Sequence, residues 1–292
     1  MNAPVVLMCP PRHFNVDYEI NPWMRGHLNS VDTVRAARQW QQLHDTLARF
    51  AELRLVEARA GLPDMVFTAN AGLVAGNIAI PSNFAHAERQ GEREHFARWF
   101  ANAGFNVVDM PHTGPDAIDF EGAGDALYAT DEPLLWVGHG FRTDPRAVEW
   151  LRAQLNVEVI GLRLIDPHYY HLDTCFCPLI DGQLLWNPLA FDEASRAVIE
   201  ARVPASRRIA VAGDDAASFA CNAVNLGDAV VLNHISPALR DAIVRHGLQP
   251  VELALSEFMK SGGAAKCLTL RLDTGFAPWA SERFAAHLAR AA

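Results

Sequence analysis

Cys267 follows Ser261-Gly-Gly-Ala-Ala-Lys266, and the Gly-Gly pair lets backbone pass close to a ligand. A thiol held at such a loop suits a nucleophile if a base and an orienting group stand beside it. Taken alone, a free cysteine is as readily a small buried hydrophobe. The candidate partners are His171 and Asp173 in His-Leu-Asp, Glu121 in Phe-Glu-Gly-Ala-Gly-Asp, and Asp64 after Pro63. Each has a plainer alternative: Asp64 starting a turn, Glu121 on a strand edge, His171 as a satisfied core histidine. Their common placement decides between these readings. All lie where an apolar strand begins, and buried carboxylates are costly unless paired. Several carboxylates around a thiol select a cation, and a planar guanidinium with its fork of donors uses them best.

The elements that must hold these residues recur. Four times the sequence reads as two short apolar strands around a turn, then an amphipathic helix, then a third strand. The first copy runs Met65–Ile80 with a Gly76-Asn77 turn, a helix over 88–103 and a strand over 105–109. The second begins at Phe120, with Leu134–Gly138, a helix over 144–155 opened by Asp144-Pro145, and Val157–Ile160. The third begins at His171 and turns at Asp181-Gly182, with a helix over 193–202. The fourth begins at Cys221-Asn222 and turns at Gly227-Asp228, with a helix over 237–246. A fifth is shared by the ends: Cys267-Leu-Thr-Leu-Arg-Leu272 as a C-terminal strand, Val5–Met8, a helix over 31–50 and Leu53–Val56. A period of about 50 residues, with first and last strands from opposite termini, predicts a closed five-bladed α/β propeller. Its first strands would line the centre and carry Asp64, Glu121, His171, Asp173, Asn222 and Cys267.

The bulk properties agree with an enzyme of small molecules. Half of the 292 residues are hydrophobic and the formal net charge is -9, which disfavours a nucleic-acid partner. No stretch approaches a membrane span, and the N-terminus lacks the basic start of a signal peptide. The five cysteines have no framework spacing, so a reduced, cytoplasmic protein is expected. Cys175-Phe-Cys177 is spaced too closely for a usual zinc pair, and neither metal nor cofactor is expected. Residues 1–292 are read as one catalytic domain, and a homo-oligomer is compatible with this reading.

Together, Pro63-Asp-Met-Val-Phe-Thr-Ala-Asn-Ala-Gly72, Glu88-Arg-Gln90, Phe120–Leu127, Gly138-His-Gly-Phe-Arg-Thr143, His171-Leu-Asp-Thr174 and Gly262–Cys267 resemble the guanidino-group modifying enzymes. This is the pentein superfamily of arginine deiminases, dimethylarginine dimethylaminohydrolases and amidinotransferases. The resemblance spans nearly the whole chain and implies the five-bladed α/β propeller. It implies Cys267 as nucleophile, His171 as general acid and base, and Glu121 and Asp173 as the carboxylates on the guanidinium. It further implies Arg89 and Arg142 as holders of the substrate carboxylate, Asp64 as the acidic residue at the mouth of the first core strand, and Asp125 as structural. One position departs: Asn70 stands where deiminases and dimethylargininases carry aspartate. Asn70 and the run Asn21-Pro-Trp-Met24 resemble the arginine dihydrolase branch, which converts arginine to ornithine, ammonia and carbon dioxide.

The expected mechanism is thiolate addition to the guanidinium carbon, loss of ammonia, and hydrolysis of the thiouronium to a citrulline-like product. A second round follows, in which Asn70 and Asn21 hold the ureido group. A one-step dimethylargininase or deiminase, an amidinotransferase and a non-catalytic binding propeller are the alternatives. The aperiodic loop Pro10–His27, rich in proline and aromatic residues, is expected to be a lid.

Overall fold

The computed structural model describes residues 3–274. Those residues form five sheets of three strands, each with one antiparallel and one parallel pairing. Gly72–Ala75 pairs antiparallel with Ile78–Pro81, which pairs parallel with Asn106–Val107. The same pattern joins Ala126–Tyr128, Leu134–His139 and Glu158–Arg163, then Phe176–Leu179, Gln183–Trp186 and Arg208–Ala210. The fourth sheet is Val224–Leu226, Ala229–Leu232 and Gln249–Glu252. In the fifth, Val5–Met8 pairs antiparallel with Leu270–Arg271 and parallel with Glu52–Leu55, so the two ends of the described chain share one sheet, as expected.

Local chemistry explains the repetition. The hairpin turns place Gly76, Asp181, Gly182 and Gly227 at positive φ, which the tight two-residue turn requires. A helix must then cross back to lay the third strand parallel to the second. The helices Thr33–Leu47, Pro145–Gln154, Glu193–Arg202 and Pro237–Arg245 are capped by Asp32, Asp144, Asp192 and Ser236, whose side chains accept first-turn N–H groups. Their apolar stripes are buried on the sheets, as with Phe96 and Phe100 of Glu92–Asn102. The single helix expected over 88–103 is two, because the chain turns at Gly91 between Ala87–Gln90 and Glu92–Asn102.

One expectation needs correction. The chemistry-bearing residues do not lie on the first strands. Asp64 and Asn70 sit in the 3₁₀ turns Pro63–Val66 and Thr68–Ala71; Glu121 caps Gly122–Gly124; His171 and Asp173 flank and occupy Leu172–Thr174. Cys267 lies in a turn before a strand that begins only at Leu270. Likewise the strand after Asn222 begins at Val224. The cause is crowding where the units converge. A Cβ on Gly122 (φ +59) would come 2.7 Å from the Gly72 carbonyl oxygen, and one on Gly138 2.8 Å from Leu172 Cβ. At that separation extended strands cannot all continue inward, so each chain tightens into a single turn.

Candidate active site

The five turns are stitched into a closed circuit by polar side chains and one backbone hydrogen bond. Asn70 Nδ2 donates to the Glu121 carbonyl at 3.1 Å. Asp125 Oδ1 accepts from Leu172 N at 2.9 Å, while its Oδ2 accepts from Thr143 Oγ1 at 2.7 Å. Asn222 Nδ2 donates to the Asp173 carbonyl at 3.0 Å, and Asn222 Oδ1 accepts from Ala264 N and Cys267 N at 2.9 and 3.1 Å. Ala69 N donates to the Cys267 carbonyl at 3.1 Å and closes the circuit. Asp125 is thus structural, as expected.

Inside this circuit lies a small buried cavity. Cys267, His171, Asn70, Arg89, Arg142, Asp64 and Asn21 all line it, with Tyr170, Ser261, Phe67 and Gly263. Seven of the residues singled out in the sequence thus meet around one cavity. Glu121 and Asp173 do not line it; each stands behind a lining residue. Glu121 Oε2 lies 2.7 Å from His171 Nε2, and the Asp173 carboxylate oxygens are 3.5 and 3.6 Å from Cys267 Sγ.

The protonation states follow from these contacts. Burial would raise Glu121, but Arg142, whose Nη1 is 3.2 and 3.4 Å from its oxygens, and His171 hold it well below the usual carboxylate range. An ionised carboxylate only accepts, so Nε2 of His171 carries the proton and Nδ1 the lone pair. Burial pushes the His171 imidazole down to about 4 against the pull of Glu121, so it rests neutral. Burial and the neighbouring Asp173 push the Cys267 thiol well above its ordinary value, although Asn222 Nδ2 donates to Sγ at 3.1 Å. Asp173 itself is raised to about 6 by burial, opposed by Lys266. The site at rest is a neutral thiol and a neutral imidazole backed by carboxylates. A cation entering it supplies the charge that a thiolate needs.

Arg89 is fully engaged around Asn70. Its Nε and Nη2 each donate to Glu92 at 2.8 Å, a buried bidentate pair, and Nη1 donates to Asn70 Oδ1 at 3.0 Å. The amide orientation of Asn70 is fixed from both sides, oxygen to Arg89 and nitrogen to the Glu121 carbonyl. A Cβ on Gly124 would collide with Asn70 Nδ2 and sit 3.5 Å from His171 Cγ, so the amide and the imidazole flank the same glycine.

The loop over 10–27 covers the cavity, with Ile20, Asn21 and Met24 in its wall. Tyr18 Oη donates to Asp64 Oδ2 at 2.9 Å, and Arg142 Nη2 donates to the Ile20 carbonyl at 2.9 Å. The Asn21 amide is spent on protein contacts: Oδ1 caps Trp23 N and Met24 N, and Nδ2 donates across to the distant Ser261 carbonyl at 3.0 Å. Sequence reasoning assigned no role to Asn222, Tyr170 or Ser261. Only Asn222 carried a signal, through its place at the start of the fourth unit. Tyr170 Oη donates to the Gly262 carbonyl at 2.8 Å and Ser261 Oγ to Asp64 Oδ1 at 3.1 Å, contacts between distant segments.

The sequence profile of the family described as N,N dimethylarginine dimethylhydrolase, eukaryotic, matches residues 21–273. The chain belongs to this family. The chain is 49% identical over 273 residues to the bifunctional arginine dihydrolase/ornithine cyclodeaminase ArgZ of Synechocystis, covering 94% of this chain. It spans only 38% of that relative's length. It is 39% identical to an N(G),N(G)-dimethylarginine dimethylaminohydrolase of Mycobacterium tuberculosis, covering 91% of this chain and 84% of the relative. Among solved structures, the N-terminal domain of ArgZ from cyanobacteria superposes with a TM-score of 0.91 at 48% identity, covering 93% of this chain and 99% of that one. That domain, a cysteine-to-serine variant bound to substrate, is described as an arginine dihydrolase. The pentein fold expected from the motifs is therefore shown, and its five sheets of three strands fit the expected fivefold repeat. Among the described residues no helix is long and apolar enough to cross a membrane.

Proposed function

We propose that this chain is an arginine dihydrolase, converting arginine and two waters to ornithine, two ammonia and carbon dioxide. One observation carries the reading: a neutral amide, Asn70, is locked beside His171 where a one-step enzyme of the superfamily would carry a carboxylate. The likeness to a solved arginine dihydrolase domain supports it. In this reading the five sheets are the blades of a propeller, residues 1–292 are a single catalytic domain, and the site lies on the axis. The buried free cysteines support a reducing, cytoplasmic setting.

The substrate guanidinium enters the cavity beside His171 and Cys267 and displaces the Arg142 head from Glu121, with Glu121 behind His171 and Asp173 behind Cys267 balancing its charge. Arg142 then meets the substrate carboxylate, while Arg89, held by Glu92, and Asp64 stay in the wall of the cavity. With a cation beside it, Cys267 loses its proton, which passes to His171, and Sγ adds to the guanidinium carbon. His171 returns the proton to the departing nitrogen, releasing ammonia and leaving an S-alkylthiouronium. Water activated by His171 adds to that carbon and releases the thiolate and a ureido product. The ureido group is neutral. Its oxygen needs a donor, which the second N–H of Asn70 Nδ2 supplies and an aspartate cannot. A second addition of Cys267 expels the second ammonia, and hydrolysis of the resulting thioester-like adduct gives a carbamate that loses carbon dioxide. Asn21, tied to Ser261, holds the loop over the site through both rounds.

Purified protein is incubated with arginine, and ornithine, citrulline and ammonia are quantified over time. The expected result is two ammonia per ornithine and little free citrulline. Citrulline without ornithine would make the enzyme a one-step deiminase. Turnover of dimethylarginine in place of arginine would make it a dimethylargininase.

A further inference from the structure

The first strands enclose a second cavity, distinct from the site above and lined by Ala126, Leu127, Phe176, Cys177, Val224 and Leu270 among others. Lys266 also lines it, and its side chain is largely buried. From there Nζ reaches back toward the catalytic circuit. It donates to the Ala123 carbonyl at 3.0 Å and lies 4.0 Å from Asp173 Oδ2, whose carboxylate touches Cys267 Sγ. Thus two neighbouring residues approach one carboxylate from opposite sides, Cys267 from the substrate cavity and Lys266 from the second one.

We propose that Lys266 is a positioning residue for the reaction: its ammonium, held by the Ala123 carbonyl, keeps Asp173 ionised and oriented toward the nucleophile from the side that substrate never reaches. The inference rests on the reading of Cys267 as nucleophile and Asp173 as a guanidinium carboxylate. A carboxylate buried beside a thiol has little reason to stay charged before the cation arrives, and a protonated Asp173 would have no charge to offer it. The groups around Asp173 show what opposes its protonation. Cys267 and Lys266 face it from the closing turn, Asn222 from the fourth unit, Asp125 from the second, and Tyr170, Cys175 and Cys177 from its own segment. Among these described groups Lys266 is the one cation. Arg142 and Arg89 serve Glu121 on the other side of the cavity. Each of the two carboxylates thus has its own resident cation, Arg142 for Glu121 and a lysine outside the substrate cavity for Asp173. Burial raises Asp173 to about 6 even with Lys266 present, so removing the ammonium moves its ionisation upward.

The test compares Lys266→Met, Lys266→Arg and wild type. The pH dependence of kcat/KM with arginine is followed by ammonia release, and the rate of iodoacetamide alkylation of Cys267 is followed across the same range. For Lys266→Met the acid limb of kcat/KM should move about one to three units toward higher pH, and alkylation should need correspondingly higher pH. Lys266→Arg should restore both. If Lys266→Met does not fold by circular dichroism, Lys266→Gln, which keeps a donor for the Ala123 carbonyl, is read the same way. A profile that keeps its acid limb and only drops in height would overturn the proposal and make Lys266 structural. Wild-type protein that does not consume arginine would instead refute the functional reading. In that case the alkylation profile still reports whether Lys266 governs the Asp173–Cys267 pair.

Discussion

Replacing Asn70 by aspartate separates the two hydrolyses. Asn70 Oδ1 already accepts from Arg89 Nη1 at 3.0 Å, so a carboxylate oxygen takes that place without strain. The loss is on the other side. Asn70 Nδ2 donates to the Glu121 carbonyl at 3.1 Å, and an aspartate oxygen there faces another oxygen. That unsatisfied pair costs about 1–3 kcal/mol of stability, partly offset by the new ion pair with Arg89. In the first hydrolysis the substrate is a cation, and an added carboxylate beside it does no harm; its rate should stay within about tenfold, a change of ~1.4 kcal/mol. In the second the substrate is neutral and negative charge develops on the ureido oxygen. Removing one donor to such an oxygen costs ~2.7–4 kcal/mol, about a hundredfold or more in rate, and the new charge adds repulsion. The assay follows arginine, citrulline and ornithine by chromatography in the wild type and in Asn70→Asp. Citrulline should accumulate in the variant while arginine is still consumed. Ornithine output equal to that of the wild type, from a folded variant, would refute the role given to the amide.

Further outcomes are expected at Asp173, Arg142 and Gly122. Because Asp173 is raised to about 6 and must be ionised to hold the guanidinium, kcat/KM should fall as pH drops through about 6. For the same reason this group binds more protons folded than unfolded between its ordinary 3.8 and about 6, so its contribution to stability falls as pH rises through that window; Asp173→Asn should flatten that part of the stability curve, read by chemical denaturation. Arg142→Ala leaves the buried Glu121 with His171, the Ala85 N–H and the more distant Arg89, and breaking a buried pair of this kind costs about 3–5 kcal/mol. It also frees the Ile20 carbonyl, so the loop over 10–27 should gain amide exchange, measured by hydrogen–deuterium mass spectrometry. Gly122→Ala should destabilise by more than the 1–3 kcal/mol of backbone strain alone, since φ is +59 and the new Cβ meets the Gly72 carbonyl at 2.7 Å; a thermal midpoint equal to the wild type would count against the crowding argument.

The repeat was legible because each unit is written in local terms. Turn pairs such as Asp181-Gly182, caps such as Asp144-Pro145 and the spacing of Phe96 and Phe100 act within a few residues, so they specify strand, turn, helix and strand without the rest of the chain. The split fifth unit was legible for the same reason, since Val5–Met8 and Leu270–Arg271 each lack the partner that their sheet needs. The residue types of the site were also open to reading: Cys267, His171, Asn70, Arg89 and Arg142 do converge on one cavity.

What the sequence alone did not determine is where the inner strands stop. That limit comes from close approaches at Gly72, Gly122 and Gly138, where segments of the first three units, far apart in sequence, pack against one another. The same convergence moved Glu121 and Asp173 behind His171 and Cys267, turned Arg89 onto Glu92 and Asn70, and brought Asn222 and Lys266 to the nucleophile. Charge states belong to this second group, because burial and the distance to an opposite charge set them, and only the assembled fold has either. Local patterns and motifs therefore singled out the candidate residues, whereas tertiary packing decided which carboxylate stands behind which partner and with what proton.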